Sequence, residues 1–197
     1  MNLFFDTETS GLPLFREPSD DPRQPHLMQL AAILADDDGT EVDTFSTIVK
    51  PYDGCIVHPE AFNAHGISLE RAMDEGMDGK QVADRFFAMI FDAGQAIGHN
   101  VSFDIRIMRI HAARAAGFKW DCPVPHFCTM RAATPILNLP PTPKMVAAGF
   151  NRAKSANLGE CIEYFFEERL EGAHDALVDV RACKRVFQHL QTLKEAA

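Results

Sequence analysis

The chain has 197 residues, 46% of them hydrophobic, and a formal net charge of −9 at pH 7. We predict one domain over residues 1–197, since single domains commonly reach about 200 residues. No apolar run approaches the roughly 20 residues that span a bilayer, which argues against a membrane protein. The first residues form no secretion leader, and five scattered cysteines suggest no disulfide framework, so we expect a cytoplasmic location.

The first part of the chain has the apolar runs of β-strands. Leu3–Phe5 is a short buried strand candidate, followed by a turn at Asp6–Gly11. The next two strand candidates are Leu27–Ala35 and Val42–Val49. The segment between them, Asp36–Gly39, is typical of a hairpin turn.

The second part has mainly helical periodicity. Helices are predicted over Gly79–Ala93, Ser102–Ala116, Leu158–Phe166 and Ala176–Leu193, with one more strand at Gln95–Gly98. Strands followed by alternating helices predict an α/β fold, in which a mixed sheet is flanked by helices.

Prolines interrupt the region between residues 123 and 149. They leave room for at most a short helix around Met130–Thr134, since proline breaks helix interiors. We therefore predict a long Pro-containing loop over residues 134–157.

Charge is distributed unevenly along the chain. Residues 105–159 contain one acid, Asp121, and eight basic residues: Arg106, Arg109, Arg114, Lys119, Arg131, Lys144, Arg152 and Lys154. The basic residues of this segment are either ordinary surface charges or part of a surface that attracts a polyanion such as nucleic acid.

Four carboxylates occur where apolar residues are expected. Asp179 falls within the apolar stripe of the last helix, and Asp104 lies among Phe103 and its apolar neighbours. Asp6 and Glu8 extend from the first strand, and alternation directs both to one side of it. Singly, each would be explained by a salt bridge or a cap. Together they favour a metal site, because buried carboxylates need partners and hard cations prefer oxygen ligands.

His174 precedes Asp179 by five residues, so the two cannot share one helical face. If the helix begins at Asp175 or Ala176, His174 lies on the loop before it, and its side chain can reach the carboxylates. A neutral imidazole placed there can accept a proton from water near pH 7.

Three segments in this order resemble the motifs of the DEDDh exonuclease family, which includes the proofreading epsilon subunits of bacterial polymerases: residues 6–12, 99–104 and 174–179. Residues 59–67 and 157–160 resemble two further segments of that family. The resemblance implies a ribonuclease H-like fold with a five-stranded mixed sheet. It also implies 3′-to-5′ removal of nucleoside 5′-monophosphates from single-stranded nucleic acid, preferably DNA.

The resemblance also assigns residues. Asp6, Glu8, Asp104 and Asp179 would bind two divalent cations, Mg²⁺ or Mn²⁺, and His174 would be the general base. The residues expected to hold the 3′-terminal nucleotides are Thr7, Leu12, Ile56, His65, Asn100 and Phe103. We further expect Lys144, Arg152 and Lys154 to contact phosphates upstream of the cleaved end.

Other activities remain open at this stage. The same fold could act on RNA as an oligoribonuclease, or bind nucleic acid without catalysis, although no catalytic position is missing. A nucleotide phosphohydrolase has no Gly-rich phosphate loop to support it. A DNA polymerase is a further candidate partner, but the Pro-rich stretch is longer than in the epsilon subunits and resembles that of stand-alone or phage-like members.

Overall fold

A computed structural model describes residues 1–195. In this range the strands are β1 (Asn2–Thr9), β2 (Leu27–Ala35), β3 (Glu41–Ile48), β4 (Gln95–Gly98) and β5 (His126–Cys128). The helices are α1 (Pro59–His65), α2 (Leu69–Glu75), α3 (Gly79–Phe91), α4 (Val101–Ala116), α5 (Thr129–Leu137), α6 (Pro143–Ala147), α7 (Leu158–Phe166) and α8 (Ala176–Glu195). None of these helices combines the length and the apolar character needed to cross a membrane.

The strands form a single sheet in the order β3-β2-β1-β4-β5. β1 pairs antiparallel with β2 and parallel with β4, while β2–β3 is antiparallel and β4–β5 is parallel. The predicted α/β class with a five-stranded mixed sheet is therefore confirmed.

Helices cover both faces of the sheet. Leu3 and Phe5 of β1 belong to one apolar cluster with α3 and α4, and the Phe5 ring lies 5.2 Å from that of Phe86. Phe4 faces the opposite way, where its ring lies 5.5 Å from that of Phe187 on α8. Because side chains alternate along a strand, this core packing directs Asp6 and Glu8 to the α8 side and Thr7 to the α4 side.

Two strand assignments differ from the prediction. The turn expected at Asp6–Gly11 begins later, because β1 continues to Thr9 through pairing of Glu8 with Gln29 on β2. β5 was not predicted, since three residues carry too little periodicity to reveal a strand that forms by parallel pairing with β4.

The region between residues 123 and 157 is more regular than predicted. α5 extends well beyond the short helix expected there, with Pro135 inside it, and α6 lies within the predicted loop. α6 begins at Pro143, where a proline costs no hydrogen bond, and the Thr142 hydroxyl accepts from the Met145 N–H at 3.2 Å. The helices α1 and α2 were also not predicted.

Candidate active site

The carboxyl-terminal half of β1 forms the floor of the site. β4 pairs only with Asn2 to Phe4, so Asp6 and Glu8 lie beyond its end, at the edge of the sheet where α4 begins. The apolar residues of β1 hold the strand in the core and thereby fix these two carboxylates on the α8 side.

Asp104 lies in the first turn of α4 and is 2% exposed. Its Oδ1 accepts hydrogen bonds from the Thr7 backbone N–H at 3.1 Å and from the Thr7 hydroxyl at 2.8 Å. The Thr7 side chain, which we expected to contact substrate, thus holds Asp104 in place.

His174 lies on the loop before α8, as predicted, because the helix begins at Ala176. Asp175 ends the loop by accepting from the N–H groups of Leu177 at 2.9 Å and Val178 at 3.3 Å. His174 has a left-handed backbone with φ of 69°, and its N–H donates to Asp179 Oδ2 at 3.0 Å. This geometry brings two residues together that a continuous helix would separate.

Glu8, His174 and Asp179 converge at the sheet edge, with one donor atom of each within 4.8 Å of the others. His174 Nδ1 lies 4.0 Å from Glu8 Oε1. Asp179 Oδ1 is buried and accepts no hydrogen bond from the described residues. In the described part of the chain no other group of His, Cys, Asp and Glu converges in this way.

Burial and mutual repulsion raise the pKa values of all four carboxylic acids. Desolvation raises the pKa of Glu8 to about 9, with the charges of Asp6 and Asp179 adding to it. Burial raises the pKa of Asp104 to about 8, although the two Thr7 hydrogen bonds oppose the shift. The pKa of Asp6 is well above its usual range because of burial and the nearby Asp104 and Asp179, and burial also raises that of Asp179.

No lysine or arginine among residues 1–195 forms a salt bridge with these four carboxylates. The cluster therefore contains oxygen donors from three different elements and no compensating positive side chain. Hard divalent cations prefer such donors, so the arrangement fits metal binding better than structural ion pairing.

A cleft of about 710 Å³ opens beside Glu8. Of the predicted nucleotide-binding residues, Thr7, Leu12, His65 and Phe103 line it. Ile56 does not line it and is 72% exposed, and Asn100 also lies outside the lining.

His65 has both ring nitrogens bound to backbone. Its Nδ1 accepts from the Ile67 N–H at 3.0 Å, so Nε2 carries the proton and donates to Thr9 O at 3.1 Å. Burial lowers the pKa of His65. These contacts hold a neutral ring against the cleft wall.

Gln29 is a site residue that the sequence analysis missed. It lies on β2 opposite Glu8, is 9% exposed, and accepts from the Ala176 N–H with Oε1 at 3.2 Å. It thereby fixes the first residue of α8, directly after His174 and Asp175. One signal was present: Gln29 is the only polar residue in the otherwise apolar run Leu27–Ala35.

Comparison with known proteins places these observations in a family. The RNase_T family model, described as exonuclease, matches residues 3–187. No curated protein sequence matches.

Several solved structures are similar in fold. E. coli Exonuclease I in complex with a dT13 oligonucleotide superposes with a TM-score of 0.73 at 21% identity, covering 97% of this chain and 41% of that one. The zinc-bound complex of E. coli ExoI with single-stranded DNA gives 0.70 at 20% identity, covering 98% and 41%. Exonuclease I from Methylocaldum szegediense gives 0.70 at 21% identity, covering 97% and 40%. The chain spans about two fifths of the length of these proteins, and the shared fold confirms the ribonuclease H-like prediction.

Proposed function

Because the chain belongs to the RNase_T exonuclease family, we propose that it is a metal-dependent 3′-to-5′ exonuclease acting on single-stranded nucleic acid, preferably DNA. The observation that carries this proposal is the convergence of Glu8, Asp179 and His174 at the end of β1, beside a cleft. Its product would be a nucleoside 5′-monophosphate, released one at a time.

Asp6, Glu8, Asp104 and Asp179 would hold two divalent cations, Mg²⁺ or Mn²⁺. The unpartnered, buried Asp179 Oδ1 and the raised pKa of Glu8 both indicate carboxylates that lack a positive partner. In this assignment Asp6 would serve both ions, Glu8 and Asp179 would hold one of them, and Asp104 would support the other. Bound cations of this kind activate water and stabilise the leaving oxygen of a phosphodiester.

His174 is the proposed general base. Its side chain is 58% exposed, so water can reach the ring, while the N–H bond to Asp179 fixes its backbone. The ring lies beside the carboxylates, with Nδ1 4.0 Å from Glu8 Oε1, where a nitrogen can accept a proton from a water molecule. His65 cannot take this role, because both of its nitrogens are bound to backbone.

The cleft would hold the 3′-terminal nucleotides. Leu12 is 80% exposed at its edge, where an apolar side chain can separate two bases, and the half-buried Phe103 adds an aromatic side chain to the lining. Ile56 and Asn100 lie outside the lining, and their proposed contacts require a strand that extends past the cleft.

Oligodeoxynucleotides in the Exonuclease I complexes, which share this fold, support the preference for DNA over RNA. An RNA-directed exonuclease of the same fold is the alternative, and partnership with a DNA polymerase stays a prediction. Cleavage of matched DNA and RNA oligomers distinguishes the two substrates.

Digestion of single strands labelled at either end tests the proposal. With Mg²⁺ or Mn²⁺, a 3′ label should be released at once as a mononucleotide, while a 5′ label should appear on a ladder of shortening strands. A chelator should stop both. The exposed Asp92, at the end of α3, provides the control Asp92→Asn, which should digest like the wild type. Immediate release of the 5′ label, or full activity in chelator, would contradict the proposal.

A further inference from the structure

The connection between β1 and β2, residues 10–26, contains no helix or strand, yet it is fixed to the rest of the molecule. At its base the Ser10 N–H donates to His26 O and the His26 N–H donates to the Ser10 hydroxyl, both at 2.9 Å. Long irregular connections of this kind are usually mobile or functional.

Gln24 holds the connection from within. It is 2% exposed, and its side chain bonds both backbone groups of Leu14, accepting from the N–H at 3.0 Å and donating to the carbonyl at 3.0 Å. The same amide donates to Pro18 O at 2.9 Å. A buried amide with this many partners fixes the backbone around Leu14.

Two arginines of α4 hold it from outside. Arg106 donates to Glu17 O at 2.5 Å and to the Ser19 hydroxyl at 2.7 Å. Arg114 donates to the carbonyls of Gln24 and Pro25, each at 2.8 Å. The connection is thereby attached to the helix that carries Asp104.

This fixed connection displays a turn at the edge of the cleft. The Glu17 N–H closes the turn on Leu14 O at 3.1 Å, with Phe15 and Arg16 at its tip. Leu14 lines the cleft, Phe15 is 67% exposed, and Arg16 is exposed without a salt bridge to any of residues 1–195. We name residues 14–17 the rim turn.

We propose that the rim turn is a subsite for the single strand upstream of the nucleotides in the cleft, in which Phe15 stacks on a base and Arg16 contacts a phosphate. This inference rests on the proposed function. Aromatic side chains stack on any base and cations follow the phosphates, which is how single strands are bound without regard to sequence. A turn that is already fixed loses little conformational freedom on binding, which favours affinity.

A single strand fits this surface better than a protein does. The rim turn continues the cleft through Leu14, so a strand whose 3′ end lies in the cleft leaves past its tip. The tip also places one aromatic ring beside one cation that has no ion pair within residues 1–195, which matches the alternation of base and phosphate.

The fluorescence of 2-aminopurine tests the stacking directly, because its emission falls when it stacks. The probe is a single strand with phosphorothioate linkages at its 3′ end and 2-aminopurine at successive positions upstream of the last two nucleotides. Wild-type protein with Mg²⁺ should quench one position most. Phe15→Ala should abolish that quenching and weaken strand binding by roughly 5- to 150-fold. Phe15→Trp should retain both, whereas Phe15→Leu, which keeps an apolar side chain, should not restore quenching.

Phe91→Ala is the matched control. Phe91 is 85% exposed but lies at the end of α3, just before β4 begins and so at the opposite edge of the sheet. It should bind and quench like the wild type. If the wild type digests single strands but Phe15→Ala shows the same quenching and affinity as the wild type, the rim-turn subsite is overturned. Failure of the wild type to digest any strand would instead overturn the proposed function.

Discussion

Four carboxylates share one site without a salt bridge to a lysine or arginine of the described chain. Their raised pKa values show that keeping them charged and close together is unfavourable when no cation is bound. These four acids therefore destabilise the metal-free protein, and bound cations would relieve their repulsion.

Glu8→Gln and Asp179→Asn should each nearly abolish nuclease activity while raising the melting temperature of the metal-free protein. The amides keep the shape of the acids but cannot ionise, so folding no longer has to protonate or bury a charged group. Each kcal/mol gained raises the melting temperature by about 2–4 °C at this chain length. Melting curves with and without Mg²⁺ check this, and the wild type should be stabilised by Mg²⁺ more than either variant. Activity near the wild-type level in both variants would exclude them as metal ligands.

The contribution of Glu8 and Asp104 to folding stability should decrease as the pH rises. The folded-state pKa values of Glu8 and Asp104, about 9 and about 8, lie above the ordinary values of 4.5 and 3.8, so the folded protein binds more protons between those limits. The contribution of these acids to stability is complete below pH 4 and is lost as the pH rises toward 9. Metal binding requires the charged forms, so at pH 7 it should release protons. Titration calorimetry with Mg²⁺ in buffers of different ionisation enthalpy should show that release, and a heat independent of the buffer would contradict it.

His174→Asn should lower turnover by roughly 10² to 10⁴-fold, the usual contribution of a general base. Asparagine tolerates the left-handed backbone at φ of 69° and keeps the N–H bond to Asp179, so the change removes the imidazole alone. Single-turnover rates at saturating Mg²⁺ measure the effect. His126→Ala changes an exposed histidine at the start of β5 and is the control. A rate within a few-fold of the wild type in His174→Asn would exclude His174 as the base.

At the scale of elements, the site depends on where α8 begins. Asp175 accepts from two N–H groups of the first turn, and Gln29 accepts from that of Ala176, so a residue of β2 fixes the helix start beside Glu8. His174 and Asp179 keep their relation only if this start is fixed.

Gln29→Met should lower stability by about 1–3 kcal/mol, because it leaves the buried Ala176 N–H without an acceptor. It should also reduce turnover by loosening the loop that carries His174. Hydrogen exchange at the Ala176 amide should be faster in Gln29→Met than in the wild type. The control Gln95→Met, at the far end of the sheet, should leave this exchange rate unchanged. Unchanged exchange at Ala176 would show that Gln29 does not fix the helix start.

The spacing of apolar residues along the sequence was sufficient to predict the strand and the helices that carry the carboxylates. Asp104 and Asp179 could be identified because each interrupts an apolar helical stripe, and the loop position of His174 followed from its spacing to Asp179. The hydrogen bond between Thr7 and Asp104 joins residues 97 positions apart, so it cannot be predicted from the spacing of nearby residues. β5 likewise depends on pairing with β4, so its existence became evident only in the assembled sheet.

Across the whole molecule, half of the eight residues of the basic segment already have partners within the protein. Arg106 and Arg114 bind backbone carbonyls, Arg109 pairs with Asp121, and Lys154 pairs with Glu160. The expected phosphate contact of Lys154 stays a prediction, and in the protein alone its ammonium pairs with Glu160. Within residues 1–195 the basic residues of this segment without an ion pair or side-chain hydrogen bond are Lys119, Arg131, Lys144 and Arg152.

Replacing Lys144 and Arg152 together by alanine should raise KM for long strands and reduce the salt slope of binding by about 1.4, or about 0.7 for each lost phosphate contact. Both side chains are exposed near α6, with Arg152 over the ring of Phe150. Binding measured over a range of NaCl concentrations gives the slope, and Lys50→Ala is the control for an exposed lysine outside the segment. An unchanged slope would assign the basic segment to ordinary surface charge.

The product formed in H₂¹⁸O tests whether this carboxylate site hydrolyses the strand from its 3′ end. With Mg²⁺ and a single-stranded DNA, the wild-type protein should release nucleoside 5′-monophosphates that carry one ¹⁸O in the phosphate, and Glu8→Gln should release almost none. Mass spectrometry of the products measures both. Release of 3′-phosphates or of oligonucleotides, or equal yields from the two proteins, would contradict hydrolysis at the 3′ end by this carboxylate site.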